Sequence, residues 1–233
     1  MQIDEKLKIT VFGDSIGKGI VTDDGKPVVM ENSAVNLFKN SFGANVDNRS
    51  VFGQSLKRIT QRNQFDRYLS TIDTAERNVA VLELGGNDAD FNWREVAESP
   101  MENHGPQTPL KEFSSLYKST IEKLQSAGVK VIVCTIVPID SKRFFDRVIG
   151  GIADKNKVLE FFNGDFNTIH RHQEMFNNEI LKNAYSYGLP VIDLREKFLE
   201  SNRFEELMCL DGIHPNQSGQ LEIFHAVNEF ISA

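Results

Sequence analysis

The chain has 233 residues, 40% of them hydrophobic, and carries a formal net charge of −7. A chain of this length and apolar content can bury one sizeable core, so we expect a single domain over residues 1–233. The acidic balance argues against a dedicated nucleic-acid-binding protein, because neutralising phosphates requires a basic face and no long run of Lys and Arg is present.

Short apolar runs alternate with longer amphipathic stretches along the chain. The apolar runs predict five strands, at residues 8–12, 45–48, 78–84, 130–136 and 190–192. Helical spacing of apolar residues predicts five helices, at residues 33–41, 55–72, 110–127, 166–187 and 217–231. Three of these helices are followed by a glycine that can end a helix and turn the chain into a strand: Gly43, Gly128 and Gly188.

This alternation of strands and helices predicts an α/β fold in which helices cover both faces of a parallel sheet. Residues 79–82 and 131–134 are apolar on both faces and are expected to be central strands. Ligands of such sheets bind beyond the carboxyl ends of the strands. Two segments interrupt the alternation, at about residues 90–109 and 137–165, and both follow strand ends, so we expect them to overhang that edge.

Four blocks suited to acyl transfer follow predicted strands or precede the last helix. They are Gly13-Asp14-Ser15, Gly53, Gly85-Gly86-Asn87-Asp88 and Asp211-Gly212-Ile213-His214-Pro215. Hydrolysis by serine requires a hydroxyl, an imidazole that takes its proton and a carboxylate that orients the imidazole. A glycine amide and an asparagine side chain can stabilise an oxyanion. Each block alone is also an ordinary turn or helix start, but their combination favours chemistry.

The four blocks resemble those of the SGNH hydrolases, also called GDSL-type lipases and esterases, over nearly the whole chain. The resemblance implies a flavodoxin-like three-layer α/β/α domain with a five-stranded parallel sheet. It implies that Ser15 is the nucleophile, His214 the general base and acid, and Asp211 the orienting carboxylate. It also implies an oxyanion hole formed by the amides of Ser15 and Gly53 and the side chain of Asn87.

Two further positions bear on the resemblance. Gly19 fits the glycine that the family has four residues after its serine. In Asn48-Arg49-Ser50, a serine stands where the family often has a glycine, which we interpret as a tolerated change in a loop that still delivers Gly53.

The expected function is a serine-dependent, metal-independent carboxylic-ester hydrolase that forms an acyl-enzyme and needs no cofactor. The expected substrate is a small-molecule or carbohydrate ester. One alternative is an acyltransferase with the same triad, in which a sugar or another alcohol replaces water. Another is a catalytically silent binding domain on the same scaffold. The sequence leaves the oligomeric state open.

Six residues beside the blocks or in the two insertions are candidates for substrate contact: Phe52, Asp88, Phe91, Trp93, Phe144 and Ile213. The aromatic side chains of the insertions could form a wall or lid over an acyl chain or sugar ring. They could equally plug the insertions into the core.

Other binding chemistries fit the sequence less well. Residues 13–19 are one residue short of a phosphate-binding loop and have glycine where that loop has Ser or Thr. Asp211 and His214 have no HExxH or CxxC partner, and His170-Arg171-His172 is expected on a solvated helix. Cys134 and Cys209 lack metal-binding spacing and are expected to be reduced thiols in or near the core.

The chain begins with the charged segment Met1-Gln2-Ile3-Asp4-Glu5-Lys6 and contains no apolar run long enough to span a membrane. We therefore expect no signal peptide, no stable membrane insertion and a cytoplasmic location.

Overall fold

The computed structural model describes residues 3–23 and 25–233. The strands in these ranges are β1 (Leu7–Gly13), β2 (Ile20–Asp23), β3 (Lys26–Val29), β4 (Asn45–Asn48), β5 (Arg77–Glu83), β6 (Lys130–Cys134) and β7 (Val191–Ile192). Five of them form one parallel sheet in the order β4–β1–β5–β6–β7, whereas β2 and β3 form a separate antiparallel hairpin. The predicted five-stranded parallel sheet is confirmed.

The α-helices of the described ranges are α1 (Ala34–Phe42), α2 (Leu56–Gln61), α3 (Gln64–Leu69), α4 (Gly86–Ala89), α5 (Trp93–Glu98), α6 (Leu110–Ser126), α7 (Ser141–Arg143), α8 (Gly150–Ile152), α9 (Lys155–Phe161), α10 (Thr168–Ser186), α11 (Leu194–Glu200) and α12 (Gln217–Ser232). A π-helix, Phe144–Ile149, lies between α7 and α8, and a 3₁₀-helix, Phe204–Leu207, follows α11. None of the helices in residues 3–23 and 25–233 combines the length and apolar character that a membrane span needs.

The core has two halves, one on each face of the sheet. Successive side chains of a strand point to opposite faces. On β5, Ala80 and Leu82 join the half covered by α2, α3, α6 and α10, while Val79 joins the half covered by α1, α11 and α12. A strand with apolar residues at every position is therefore buried on both sides, and the predicted central strands β5 and β6 do lie inside the sheet. This is the predicted α/β/α arrangement.

Several local features differ from the sequence predictions, including the short helices α5, α7, α8 and α9 within the two insertions. The helix predicted at residues 55–72 is two helices, α2 and α3, because the chain turns at Asn63, whose φ of 51° is left-handed. The hairpin β2–β3 was not predicted. Val28 and Val29 are exposed, so β3 lacks the alternation of buried apolar and exposed polar residues that identifies a strand in a sequence. Helix α11 was also missed; it starts directly after the two-residue strand β7, where the Asp193 side chain caps it by accepting from the Glu196 amide.

The two insertions pack against each other. Their large side chains form a third apolar cluster in which Phe91, Trp93, Phe144 and Phe162 are all buried, and Ile149 is fully buried. The Trp93 ring lies 6.0 Å from that of Phe144 and 5.9 Å from that of Phe162. The aromatic residues of one insertion thus hold the other in place.

Candidate active site

Ser15 lies in the tight turn that follows β1, at the carboxyl edge of the sheet, and its side chain is buried. The turn is held by the buried carboxylate of Glu83, whose Oε2 accepts hydrogen bonds from the amides of Asp14 at 3.2 Å and Gly17 at 3.0 Å. A Cβ on Gly13 would lie 2.7 Å from the same oxygen. The close approach of the turn to Glu83 therefore explains the glycines on either side of Ser15.

The loop that contains the atypical serine follows a defined path. The Asn48 side chain donates to the carbonyl of Gly17 at 2.9 Å and accepts from the amide of Ser50 at 3.1 Å. The amide of Val51 then donates to the carbonyl of Gly13 at 3.2 Å. Ser50 is accommodated because Gly13 and Gly17 have no side chain. A Cβ on either glycine would collide with Oγ of Ser50.

Gly19 has a structural reason of its own. Its φ is 76°, and a Cβ at this position would lie 2.2 Å from the Cβ of Ser33, the residue that caps α1. Both the backbone conformation and the close packing therefore require glycine here.

His214 and Asp211 reach Ser15 from the opposite end of the chain. The Nε2 atom of His214 lies 3.0 Å from Oγ of Ser15, and its Nδ1 atom lies 2.7 Å from Oδ2 of Asp211. The other carboxylate oxygen of Asp211 accepts from the amides of Ile213 at 2.9 Å and His214 at 3.0 Å. The two side chains are thereby aimed along one line, with the imidazole between the carboxylate and the hydroxyl.

The loop that carries this pair is fixed at several points. Gly212 has a φ of 74°, and its carbonyl accepts from the amide of Asp140 at 2.9 Å. A Cβ on Gly212 would lie 2.6 Å from the carbonyl oxygen of Asp140. A bridge between Met208 and Pro215 closes the loop at its base. The three-residue spacing of Asp211 and His214 therefore fits one tight turn that is packed against the second insertion.

The surroundings of Asp211 keep its carboxylate ionised. Burial raises the pKa of Asp211. The hydrogen bond and the charge of His214, with the amides of Ile213 and His214, outweigh this effect and lower the pKa to about 2. An ionised carboxylate at this position accepts a hydrogen bond from the Nδ1–H group of His214, which leaves Nε2 as the ring atom that can accept the Ser15 proton.

Three hydrogen-bond donors lie around the same cavity as Ser15. Neither the amide of Ser15 nor that of Gly53 donates to any other residue in the described part of the chain. Gly53 has a φ of 68°, and its carbonyl accepts from the guanidinium of Arg58 at 2.7 Å, which fixes the peptide group. Asn87 lies in the first turn of α4, after Gly86, and its Nδ2 donates to Oδ2 of Asp14 at 3.0 Å. All three residues line the cavity.

Asp14 and Glu83 are two buried carboxyl groups behind the serine. Burial raises the pKa of Asp14 to about 6, against the opposing effects of the Ile16 amide, His214 and the Asn87 side chain. Burial, together with the charge of Asp14, also holds the pKa of Glu83 well above its usual range. The site therefore disfavours simultaneous ionisation of the two groups.

The cavity has a volume of about 150 Å³ and mostly apolar walls. Of the residues predicted to contact substrate, five line it: Phe52, Phe91, Trp93, Phe144 and Ile213. The ring of Phe52 is half exposed and stacks on the imidazole of His214, with 6.0 Å between ring centroids and 18° between planes. The two insertions and the loop before α12 thus form the walls around Ser15.

The prediction that Asp88 contacts substrate is wrong. Its side chain is fully buried and does not line the cavity, because the carboxylate is occupied within the protein. Its oxygens accept from the amide of Leu56 at 2.8 Å and from the hydroxyl of Thr108 at 2.6 Å. Asp88 therefore ties the start of α2 to the block that carries Asn87.

One face of α10 contributes to the cavity, and this was not predicted. His172 and Gln173 both line it, and the His172 ring lies 4.7 Å from the ring of Phe91. His172 is half-buried, which lowers its pKa, so the expectation of a solvated helix at residues 170–172 is wrong for this side chain. The spacing to Ile169 and Phe176, three residues before and four after His172, is the signal that would have placed it on the buried stripe of the helix.

Metal-binding chemistry has little support in the described residues. No group of three or more His, Cys, Asp and Glu side chains suited to a metal ion occurs in residues 3–23 and 25–233. Cys134 and Cys209 are both buried and unpaired, as predicted.

Comparison with known sequences decides the family. Residues 11–221 match the sequence profile of the GDSL-like lipase/acylhydrolase family. The chain belongs to this family. Membership of this family indicates that the GDSL-like protein is a hydrolase. A comparison with curated protein sequences gives no significant match.

Solved structures share the fold of this GDSL-like hydrolase. A lipase/acylhydrolase from Enterococcus faecalis superposes with a TM-score of 0.65 at 19% identity, over 97% of this chain and 96% of that one. A member of the lipolytic G-D-S-L family from Veillonella parvula gives a TM-score of 0.67 at 17% identity, over 97% and 98%. The acetyl xylan esterase AlAXEase gives 0.60 at 21% identity, over 97% and 99%. At these identities the likeness concerns the fold.

Proposed function

We propose that the protein is a serine carboxylic-ester hydrolase that works through an acyl-enzyme on Ser15. The observation that carries this proposal is the hydrogen-bonded row Ser15, His214 and Asp211, with 3.0 Å and 2.7 Å between the bonded atoms, on the wall of a cavity. A nucleophile, a base and an orienting group within hydrogen-bond reach are the arrangement that acyl transfer requires.

In the first half of the reaction, Oγ of Ser15 attacks the ester carbonyl carbon while Nε2 of His214 takes the hydroxyl proton. The carbonyl oxygen becomes an oxyanion, which the amides of Ser15 and Gly53 and the side chain of Asn87 stabilise. When the tetrahedral intermediate collapses, the bond to the alcohol breaks and His214 gives its proton to the leaving oxygen. Ser15 is left acylated.

In the second half, water replaces the alcohol. Nε2 of His214 takes a proton from the water as its oxygen attacks the acyl carbon, and the same three donors stabilise the second oxyanion. Collapse releases the carboxylic acid and returns the proton to Oγ of Ser15. Asp211 remains ionised throughout and stabilises the imidazolium that forms in each half, and no metal ion takes part in either step.

The cavity limits the acyl group. An apolar cavity of about 150 Å³ holds one benzene-sized group, so an acyl chain of roughly two to six carbon atoms fits. The walls from Phe91, Trp93 and Phe144 favour an apolar chain. A short acyl ester of a small molecule or carbohydrate is therefore the substrate class that we propose, and the activity named for AlAXEase is consistent with it.

A series of p-nitrophenyl esters with acyl chains of increasing length, assayed beside acetylated sugars, tests this proposal. We expect kcat/KM to be highest for chains of about two to six carbon atoms and at least about tenfold lower for the decanoate, because forcing extra methylenes into a filled apolar cavity displaces its packed walls at a cost of roughly 1–3 kcal/mol. Activity should be unchanged by EDTA. Activity that EDTA abolishes and a divalent ion restores would contradict the proposal, as would the absence of turnover on every ester.

A further inference from the structure

A second, open groove adjoins the candidate catalytic cavity. It has a volume of about 640 Å³ and shares Asp90, Phe91 and Trp93 with the cavity wall. Its other side chains are mostly polar or cationic and come from α2 and the first insertion, apart from Ile152 of the second insertion; among them are Lys57, Arg58, Gln61, Arg94 and Gln107. We call this space the basic groove.

The charge of the basic groove differs from that of the chain as a whole, which is −7. Arg94 is exposed, and no ion pair or hydrogen bond joins its side chain to another residue in the described ranges. Arg58 makes its bonds to uncharged groups, through Nη1 to the Gly53 carbonyl and Nη2 to the Gln107 side chain. Lys57, by contrast, is neutralised by Glu112 at 3.0 Å. Two guanidinium groups therefore face one groove without a carboxylate partner.

The carboxylate in the groove wall, that of Asp90, does not fill this role. It is half-buried, and its Oδ1 accepts from the indole nitrogen of Trp93 at 2.9 Å. Burial raises the pKa of Asp90 to about 6, against the effects of the Phe91 amide and the Trp93 and Gln107 side chains. Its hydrogen bonds therefore point into the first insertion, and neither arginine is paired with it.

We propose that the basic groove binds the alcohol part of the ester and that this alcohol carries an anionic group, a carboxylate or a phosphate. The inference rests on the proposed esterase function and names the substrate class of the same site. A planar guanidinium donates two parallel hydrogen bonds to either anion, and two such groups in one groove favour a charged ligand over a neutral one. The smaller, mostly apolar cavity takes the acyl group, so the leaving alcohol extends into the larger and more open groove.

The groove is also linked to the reacting atoms. The guanidinium of Arg58 that faces the groove holds the Gly53 carbonyl at 2.7 Å, and Gly53 is one of the proposed oxyanion donors. Ser55, which caps α2 two residues after Gly53, lines the groove as well. An anion bound by the arginines thus lies directly beside the loop that shapes the oxyanion hole.

Kinetics with matched pairs of esters test the proposal and separate the possible anions. One pair is 1-acetylglycerol 3-phosphate and 1-acetylglycerol; the other is an O-acetylated methyl galacturonoside and the corresponding galactoside. We expect kcat/KM to be higher for the anionic member of at least one pair. Arg94→Gln should lower that anionic-to-neutral ratio by about three- to tenfold, because it removes one charge-assisted contact in a partly exposed site.

Arg147→Gln is the matched control, since Arg147 is exposed on the π-helix and lies outside both cavities. It should leave the ratio unchanged. Raising the salt concentration should reduce the wild-type ratio, since exposed charge pairs are screened. A ratio near one for both pairs, or a ratio that Arg94→Gln and Arg147→Gln change equally, would overturn the proposal.

A binding experiment distinguishes failure of this inference from failure of the esterase proposal. Ser15→Ala cannot form an acyl-enzyme, so titration calorimetry with the uncleaved esters reports binding alone. If Ser15→Ala binds an anionic ester more tightly than its neutral match, and if adding Arg94→Gln reduces that difference in affinity, the proposed role of the basic groove is supported. This holds even if the wild-type protein hydrolyses none of the esters. If both members of each pair bind equally and the wild-type protein does hydrolyse esters, the proposed role of the basic groove is overturned, whereas the esterase proposal stands.

Discussion

The side chain of Asn87 donates a hydrogen bond of 3.0 Å to Oδ2 of Asp14, the residue immediately before Ser15. An asparagine amide has two N–H bonds, so this contact uses one and fixes the plane of the other. Oδ1 of Asp14 accepts from the Ile16 amide at 2.8 Å, which holds the carboxylate itself. Asp14 thus acts as a positioning residue for a proposed oxyanion donor that lies 73 residues away in the chain.

Asn87→Ala should lower kcat by about 10²–10³-fold with little change in KM, since an oxyanion donor binds the transition state more strongly than the substrate. Asp14→Ala should lower kcat less, by roughly 10-fold, and the double variant should be no worse than Asn87→Ala, because Asp14 acts through Asn87. Asp14→Asn, which retains an acceptor oxygen, should recover part of the loss. Steady-state kinetics on folded variants measure all four effects. Fully additive losses would show that Asp14 does not act through Asn87.

The same carboxyl group predicts a pH dependence of stability. Burial raises the pKa of Asp14 from 3.8 to about 6 on folding, so between these values the folded protein holds a proton that the unfolded chain has lost. The free energy of unfolding contributed by Asp14 is therefore highest below about pH 4, falls as the pH rises and is lowest above about pH 6. The contribution of Asp211 has the opposite sign: its pKa is about 2 when folded, so its stabilisation is lost as the pH falls from 3.8 towards 2.

Urea denaturation at pH 4.5 and pH 7.5, two values chosen on either side of the Asp14 transition, tests this for wild type and Asp14→Asn. Other groups titrate in this range, among them His172, so the informative quantity is the difference between the two proteins. We expect the stability of wild type relative to Asp14→Asn to be lower at pH 7.5 than at pH 4.5. An equal or higher relative stability at pH 7.5 would mean that Asp14 is not held in its protonated form by the fold.

Gly212 offers a test of how firmly the loop of Asp211 and His214 is held. Gly212→Ala introduces strain at a φ of 74° and a Cβ only 2.6 Å from the carbonyl oxygen of Asp140. Gly128→Ala is the matched control, because its φ of 78° carries similar strain but no atom lies within 4 Å of the added Cβ. We expect Gly128→Ala to cost about 1 kcal/mol of stability with normal activity. Gly212→Ala should cost more, and should lower kcat by displacing His214. Equal stability and activity of the two variants would contradict this.

The parts of the site that sequence predicted are contiguous blocks. Ser15, Asn87 and the pair Asp211 and His214 each occupy a short motif at a strand end or before a helix, and a parallel sheet brings strand ends to one edge. Strands β5 and β6 were predictable for a similar reason, since burial on both faces leaves an unbroken apolar run.

The parts that were missed depend on contacts between distant segments. Glu83 is the last residue of an apolar strand, and only the folded turn shows that it accepts from Asp14 and Gly17. The role of Asp88 in capping α2 depends on contacts 32 residues away in sequence. Sequence alone gave no register between α10 and the insertions, so the approach of His172 to Phe91 could not be derived.

Covalent labelling of Ser15 tests the central claim most directly. A fluorophosphonate should add one phosphonyl group to wild-type protein, seen by intact-mass spectrometry, and peptide mapping should place it on Ser15. Labelling and ester hydrolysis should both disappear in Ser15→Ala, with kcat reduced by several orders of magnitude, about 10⁴-fold or more. Ser115→Ala, which removes an exposed hydroxyl on α6, should label and turn over like wild type. Undiminished hydrolysis or labelling in Ser15→Ala would contradict the account.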